Sequence, residues 1–253
     1  MVGMSYAYAL LNSDLCNELI LIDINEEKAL GEAMDLNHGL CFSSSHMKIR
    51  AGSFEDCQYA DLVVITASAG SRKPGQTRFD LLQKNVGVFK SFISKIVASG
   101  FNGIFLVASN PVDVMTRLTY ELSGFPANRV IGSGTTLDTA RLRYLIGDYF
   151  QADPHSVHGY VIGEHGDSEF VPFSQLNLST KNVEEFFNDE RFKDDYKRED
   201  IEQIIEKVKT SGAEVIKLKG ATYYGIGMSL VRITKAIFGE TISNPSLDVL
   251  DIE

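Results

Sequence analysis

Three short runs in the first half of the chain are apolar on both parities: ELILID (18–23), DLVVITA (61–67) and GIFLVAS (103–109). Runs of this length, rich in branched side chains and lacking a polar face, predict strands covered on both sides of a parallel sheet. Helical patterns lie around them at 3–13, 26–38 and 78–99, and VIGSG (130–134) predicts a further strand. Strand–helix alternation of this kind predicts an α/β fold with a doubly wound parallel sheet over residues 1–133. TTLDTARLRYLIGDYF (135–150) predicts a helix with Leu137, Ala140, Tyr144 and Leu145 on its apolar side.

After residue 151 the texture changes. SVHGYVIG and FVPFSQLNLS predict two strands, followed by the charge-rich stretch NVEEFFNDERFKDDYKREDIEQIIEKVK. There Ile201, Ile204, Ile205 and Val208 recur at i, i+3, i+4 and i+7, the stripe of an amphipathic helix with a solvated outer face. A last helix is predicted over 221–238, and residues 134–253 are expected to form a second α/β domain.

Both ends break the pattern. A dinucleotide-binding unit is expected to open with a strand and a G-x-G-x-x-G turn. Here MVGMSYAYALLNSD begins in a helix-forming segment, and only Gly3 can be the last glycine of such a turn. The tail FGETISNPSLDVLDIE is polar and non-periodic. The expectation is a chain truncated at both ends, without the first strand of its sheet and without the last part of its second domain.

Composition narrows the classes. The 253 residues are 44% hydrophobic and 23% charged, an ordinary globular balance. A net charge of −10 argues against partnership with nucleic acid or an acidic membrane surface, while leaving small anions open to capture by a few local arginines. Cys16, Cys41 and Cys57 are widely spaced and form no CxxC pair, which suits a reducing cytoplasm and offers neither a disulfide framework nor a metal site. No apolar run is long enough to span a bilayer, and no signal-peptide pattern opens the chain.

Candidate chemistry gathers at a few places. His165 in VIGEHGDSEF can be a proton donor, a metal ligand or a capped core residue. Asp23 ends an expected strand 20 residues after Gly3, where a carboxylate accepts bonds from an adenosine ribose and repels a 2′-phosphate, favouring NAD over NADP; a helix N-cap explains it equally well. SRKPGQTRFD sets Arg72, Lys73 and Arg78 around a Pro-Gly turn, either a loop able to close over an anion or a solvated surface loop. Asn110 follows a buried strand, the edge at which open α/β sheets bind ligands. Asp138 and Arg141 stand three apart in LDTARLR, the spacing of an intrahelical ion pair, although Arg141 can instead hold a carboxylate and Asp138 can face a histidine.

Together these residues fit reduction of a 2-keto acid. That reaction needs a hydride at the carbonyl carbon, a proton at its oxygen, a cation for the carboxylate and a donor against the charge building on oxygen. His165 can give the proton, Asp138 steady the imidazolium, Arg141 bind the carboxylate, and Arg78 or Asn110 polarise the carbonyl.

The stretches VGMSYA, LIDIN, AMDLNH, KPGQTR, ASNPVD, VIGSGTTLDTAR, IGEHGDSEF and KGATYYGI, in this order from Val2 to about Ile237, resemble the lactate/malate dehydrogenase family, and within it the bacterial L-lactate dehydrogenases. The resemblance implies an NAD-binding Rossmann domain, a catalytic α/β domain and a cytoplasmic homotetramer acting on a small 2-keto or 2-hydroxy acid. It implies that His165 is the proton donor/acceptor, Asp138 its partner, Arg141 the carboxylate binder and Arg78 the arginine of a mobile loop. Asn110 and Thr222 are implied at the substrate, and Val2, Gly3, Asp23, Lys28, Phe54, Ser91, Ala108, Ser109, Asn110 and Ser133 at NAD. Arg143 and His158 resemble a pair that binds fructose 1,6-bisphosphate in allosteric members; the plain alternatives are a surface charge and a buried strand histidine.

Three departures from the pattern stand out: the late start, the unmatched end, and a mobile loop (TASAGSRKPG) one residue longer than usual. The position before KPG is typically glutamine in lactate dehydrogenases and arginine in malate dehydrogenases, and here it is Arg72. A second cation would pair with the extra carboxylate of oxaloacetate. Thr222 in KGATYYG points to the lactate branch instead. The expectation is therefore an NAD-dependent L-lactate dehydrogenase, with a malate dehydrogenase or an inactive truncated product as alternatives. Truncation would cost the sheet several kcal/mol and remove backbone donors for a pyrophosphate.

Overall fold

The structure, a computed structural model, describes residues 1–70 and 78–239. Arg72 lies outside the described residues, as does the side chain of Arg78. The chain divides into two compact units after Ser133: the second is Gly134–Thr222, and the chain from Tyr223 returns to the first.

In the first unit the apolar runs form short parallel strands. β1 (Glu18–Leu21) pairs with β2 (Lys48–Ala51), and β3 (Leu62–Ile65), β4 (Ile104–Val107) and β5 (Val130–Gly132) form a second parallel set in that order. Helices α1 (Val2–Leu11), α2 (Glu26–Gly39), α3 (Arg78–Ala98), α4 (Val112–Ser123) and α8 (Tyr224–Ile237) complete the unit. One side of the strands packs on α1 and α8 around Tyr6, Leu10, Ile49, Leu106 and Leu230. The other side packs on α3 and α4 around Phe89, Ile93, Phe105 and Met115. Two apolar cores on opposite faces explain why the strands lack a polar parity. β2 escapes the sequence pattern because KIRA buries only Ile49, while Lys48 and Arg50 face water.

The second unit holds α5 (Thr136–Tyr149), the small antiparallel set β6 (Val157–His158), β7 (Asn177–Leu178) and β8 (Lys181–Asn182), then α6 (Val183–Asn188) and α7 (Arg198–Lys219). Leu142, Ile146, Val157, Leu176, Ile201 and Val208 form its core. Three expectations are corrected. The buried face of α5 follows Asp138, Leu142 and Ile146, while Ala140 and Tyr144 face water. Its polar members tolerate burial because each is hydrogen-bonded, which apolarity alone cannot reveal. The two expected strands after residue 151 shrink to pairs of residues, and the charge-rich stretch splits into α6 and α7. Tyr6 Oη on α1 meets Thr234 Oγ1 on α8 at 2.9 Å. A Cβ on Gly227 would lie 2.8 Å from the carbonyl carbon of Ser5, a helix crossing that only glycine allows.

Candidate active site

Helix α5 and the segment after β6 are tied together by the threonines of TTLDTAR. Thr135 Oγ1 donates to Val161 O at 2.6 Å, and Val161 N donates to Thr139 Oγ1 at 3.0 Å. The helix start thus serves Val161 as a neighbouring strand would. Ile162 and Phe170 then pair antiparallel and close the loop that carries His165. Gly163 enters this loop at φ +97°, a conformation that a side chain resists.

These constraints bring residues 138, 141, 165 and 169 together. His165 Nδ1 lies 2.6 Å from Asp138 Oδ2, and Arg141 Nη1 donates to Asp138 Oδ1 at 2.8 Å. Asp138 is 1% exposed and uses one oxygen for each cation. Both sequence alternatives for this carboxylate therefore hold at once: it is the intrahelical partner of Arg141 and the orienting group of His165. Glu169, 3% exposed, stands 3.7 Å from the same His165 nitrogen.

The electrostatics follow from this packing. Burial alone pushes the Asp138 carboxyl up, but the bonds and charges of His165 and Arg141 hold it below the usual carboxylate range. The Asp138 hydrogen bond, then Glu169, push His165 up to about 10 against the opposing effect of burial. The two carboxylates thus favour the imidazolium over the neutral ring. Asp138, His165 and Glu169 also offer donor atoms within 4.8 Å of one another. With Nδ1 hydrogen-bonded and Asp138 already neutralised by Arg141, this is the arrangement of an acid–base pair and not of a cation site. Arg141 has room beside α7 because position 212 is glycine: a Cβ there would come within 3.3 Å of Nη2.

In the first unit the parallel strands place their following residues along one carboxyl edge. Ser109 Oγ donates to Ala67 O at 2.6 Å, Ser133 N donates to Val107 O at 2.8 Å, and Asn85 donates to Asn110 O at 2.9 Å. Such an edge is where open α/β sheets hold dinucleotides. A Cβ on Gly3 would lie 2.7 Å from Thr66 Oγ1, so α1 starts hard against the end of β3. Asp23 stands exposed just past β1, bonded to Asn25 N at 3.0 Å and Lys28 Nζ at 3.3 Å. These features fit a dinucleotide: a helix start at the strand ends for phosphates and an accessible carboxylate for a ribose. Val2 and Ala108 are half-buried, Ser91 and Asn110 exposed, and Phe54 stacks on Phe92 with ring centroids 6.3 Å apart.

Elsewhere in the second unit, Arg143 Nε donates to Gly159 O at 3.2 Å and its guanidinium covers the Tyr160 ring. His158 is half-buried in β6 opposite Asn177, and Thr222 is half-buried at the unit's end. Sequence reasoning missed Thr135, Thr139, Glu169 and Gly212. The two threonines flanking Asp138 were the readable signal, since side-chain hydroxyls at a helix start often bond backbone.

Comparison with known proteins accords with this geometry. Residues 1–132 match the sequence model of the lactate/malate dehydrogenase NAD-binding domain, and residues 135–251 that of the lactate/malate dehydrogenase alpha/beta C-terminal domain. The chain is 52% identical over 237 residues to L-lactate dehydrogenase 2 of Bacillus cereus, spanning 93% of this chain and 74% of that protein. It is 52% identical over 236 residues to an L-lactate dehydrogenase of Geobacillus, spanning 93% and 73%. Among solved structures, MGS-M5, a lactate dehydrogenase from a Medee basin deep-sea metagenome library, superposes with a TM-score of 0.89 at 52% identity, over 94% of this chain and 74% of that one. The minor L-lactate dehydrogenase of Enterococcus mundtii in its ligands-bound form gives 0.89 at 47% identity, over 93% and 74%.

Proposed function

The chain belongs to the lactate/malate dehydrogenase family, and from that premise we propose that it is an NAD-dependent L-lactate dehydrogenase, interconverting pyruvate and lactate with His165 as proton donor and acceptor. The observation that carries this reading is the 2.6 Å contact of His165 Nδ1 with a buried, arginine-paired carboxylate. Bound NADH supplies the hydride for the carbonyl carbon. With Nδ1 committed to Asp138, the proton that reaches the carbonyl oxygen is the one on Nε2, and lactate oxidation returns it there. Asp138 offsets the imidazolium charge and loses that role when His165 becomes neutral. Arg141 spends one donor on Asp138 and keeps the rest of its fork for the substrate carboxylate. Arg78 and Asn110 are assigned to the carbonyl oxygen, and Thr222 to the substrate's side chain. Val2, Gly3, Asp23, Lys28, Phe54, Ser91, Ala108, Ser109, Asn110 and Ser133 are assigned to NAD, with Asp23 on the adenosine ribose.

The finer assignments rest on resemblance alone: a cytoplasmic homotetramer, with Arg143 and His158 receiving fructose 1,6-bisphosphate. No described helix is long and apolar enough to cross a membrane. The deciding experiment titrates NADH fluorescence with the purified chain and then compares kcat/KM for pyruvate and oxaloacetate. Tight NADH binding with preference for pyruvate is expected. Preference for oxaloacetate would shift the assignment to malate and to Arg72, and absence of NADH binding would reject the activity for this chain.

A further inference from the structure

Glu169 has no part in the chemistry assigned so far, yet it is a carboxylate withdrawn from water, 3% exposed. Among the described residues its ion-pair partner is His165, with Oε2 3.7 Å from Nδ1, and the same oxygen accepts a long bond from Gly166 N at 3.4 Å. Lys209 of α7 lines the same shallow hollow, but its ammonium bonds Glu206 at 3.0 Å. A buried carboxylate without a strong partner is costly unless a nearby charge offsets it. Among the described residues, two carboxyl groups, Asp138 and Glu169, stand here around one guanidinium, Arg141, and one imidazole, His165.

We propose that Glu169 is a positioning residue for proton transfer, the second arm of a two-carboxylate cradle on Nδ1 that fixes the tautomer of His165 and biases it toward the form that protonates a keto acid. The proposal rests on reading His165 as the proton donor. A purely structural role is already covered, because the Ile162–Phe170 pair closes the loop and glutamine would accept from Gly166 N as well as glutamate does. Among the described residues, those set around the imidazole include Asp138 and, through it, Arg141 from α5, Glu169 from the loop itself, and Lys209 from α7, which lines the hollow beside Glu169; Glu164 and Asp167 of the loop are exposed.

The test is an NMR titration of His165 in the full chain without cofactor or substrate, its ring signal assigned by its loss in His165→Asn. Glu169→Gln should lower the midpoint by about one unit while unfolding stays cooperative. The alkaline limb of pyruvate kcat/KM should move down with it. An unchanged midpoint overturns the cradle. If Glu169→Gln does not fold, the wild-type Glu169 carboxyl carbon decides: a shift that inflects at the His165 midpoint supports the proposal, and a flat trace overturns it. Because the midpoint is read without turnover, failure to reduce pyruvate would strike the activity and leave this test standing.

Discussion

The two units hold their polar groups in opposite ways. In the second, Asp138, Arg141, His165 and Glu169 are linked by contacts within 4 Å, with two carboxylates nearly shut from water. In the first, the residues at the carboxyl edge are either used up by the fold, as Ser109 and Ser133 are, or stand in solvent, as Asp23, Lys28 and Asn110 do. A self-held ionic cluster stores its energy before any ligand arrives. An exposed carboxylate and a set of backbone donors realise theirs only on binding. Substitutions in the cluster should therefore be felt by the free protein, and substitutions at the sheet edge only when cofactor is added.

The largest expected effect is that of His165→Asn. Loss of a positioned acid–base group should lower kcat/KM for pyruvate by about 10²–10⁴-fold. NADH affinity, set in the other unit, should change little. Stopped-flow turnover and fluorescence titration separate the two, and a parallel fall in both would break the division.

Asp138→Asn comes next and probes the cluster without ligand. Leaving Arg141 and His165 without their shared counter-charge should cost about 3–5 kcal/mol in urea unfolding near neutral pH. The pH dependence carries the same signature. His165 has a folded pKa raised from 6.5 to about 10, so its contribution is complete below 6.5 and disappears as the pH climbs through 10. Asp138 has a lowered folded pKa, so its contribution is present above 3.8 and disappears as acid protonates the folded carboxyl. Wild-type stability should thus fall along the alkaline limb, and Asp138→Asn should flatten that fall. Lactate oxidation, which needs neutral His165, should gain rate over the same alkaline range.

The sequence announces the two regions unequally, for physical reasons. Strands β3 and β4 were legible because burial on both faces leaves only apolar residues. His165, Asp138 and Arg141 each had a plain explanation when read alone, and stood out in the sequence only because together they offer the proton, its counter-charge and the cation that one reaction needs. Glu169 was not, since a glutamate in GEHGDSEF looks solvated, and the fold-back at Gly163 together with the neighbouring α7 shuts it in. Gly212 lies within a charge-rich helix where nothing marks the guanidinium it faces. The apolar side of α5 was misread because hydrogen-bonded Asp138 and Thr139, and not Tyr144, turn inward.

Asp23→Ala tests the other side of the comparison. A charged hydrogen bond to ribose is worth about 1.5–3 kcal/mol, so NADH affinity should drop at least tenfold, and discrimination against NADPH should weaken. Stability should move by less than about 1 kcal/mol, because the pair with Lys28 is exposed on both sides. A large loss of stability would mean that the exposed carboxylate is structural after all.

Gly212→Ala should give the smallest and most diagnostic change, because two effects of opposite sign meet at one atom. Alanine in the middle of α7 gains about 1 kcal/mol of helix propensity over glycine. The new methyl would lie 3.3 Å from Arg141 Nη2, closer than ordinary contact, and the guanidinium cannot swing away without loosening its 2.8 Å bond to Asp138. Unfolding should therefore show a gain well short of that propensity, while KM for pyruvate rises severalfold and kcat changes less if the Arg141 fork holds the substrate carboxylate as proposed, since the fork is displaced and the imidazole is not. A full propensity gain with unchanged KM would show that Arg141 has slack, and would remove the claim that the second unit holds its cluster ready before substrate arrives.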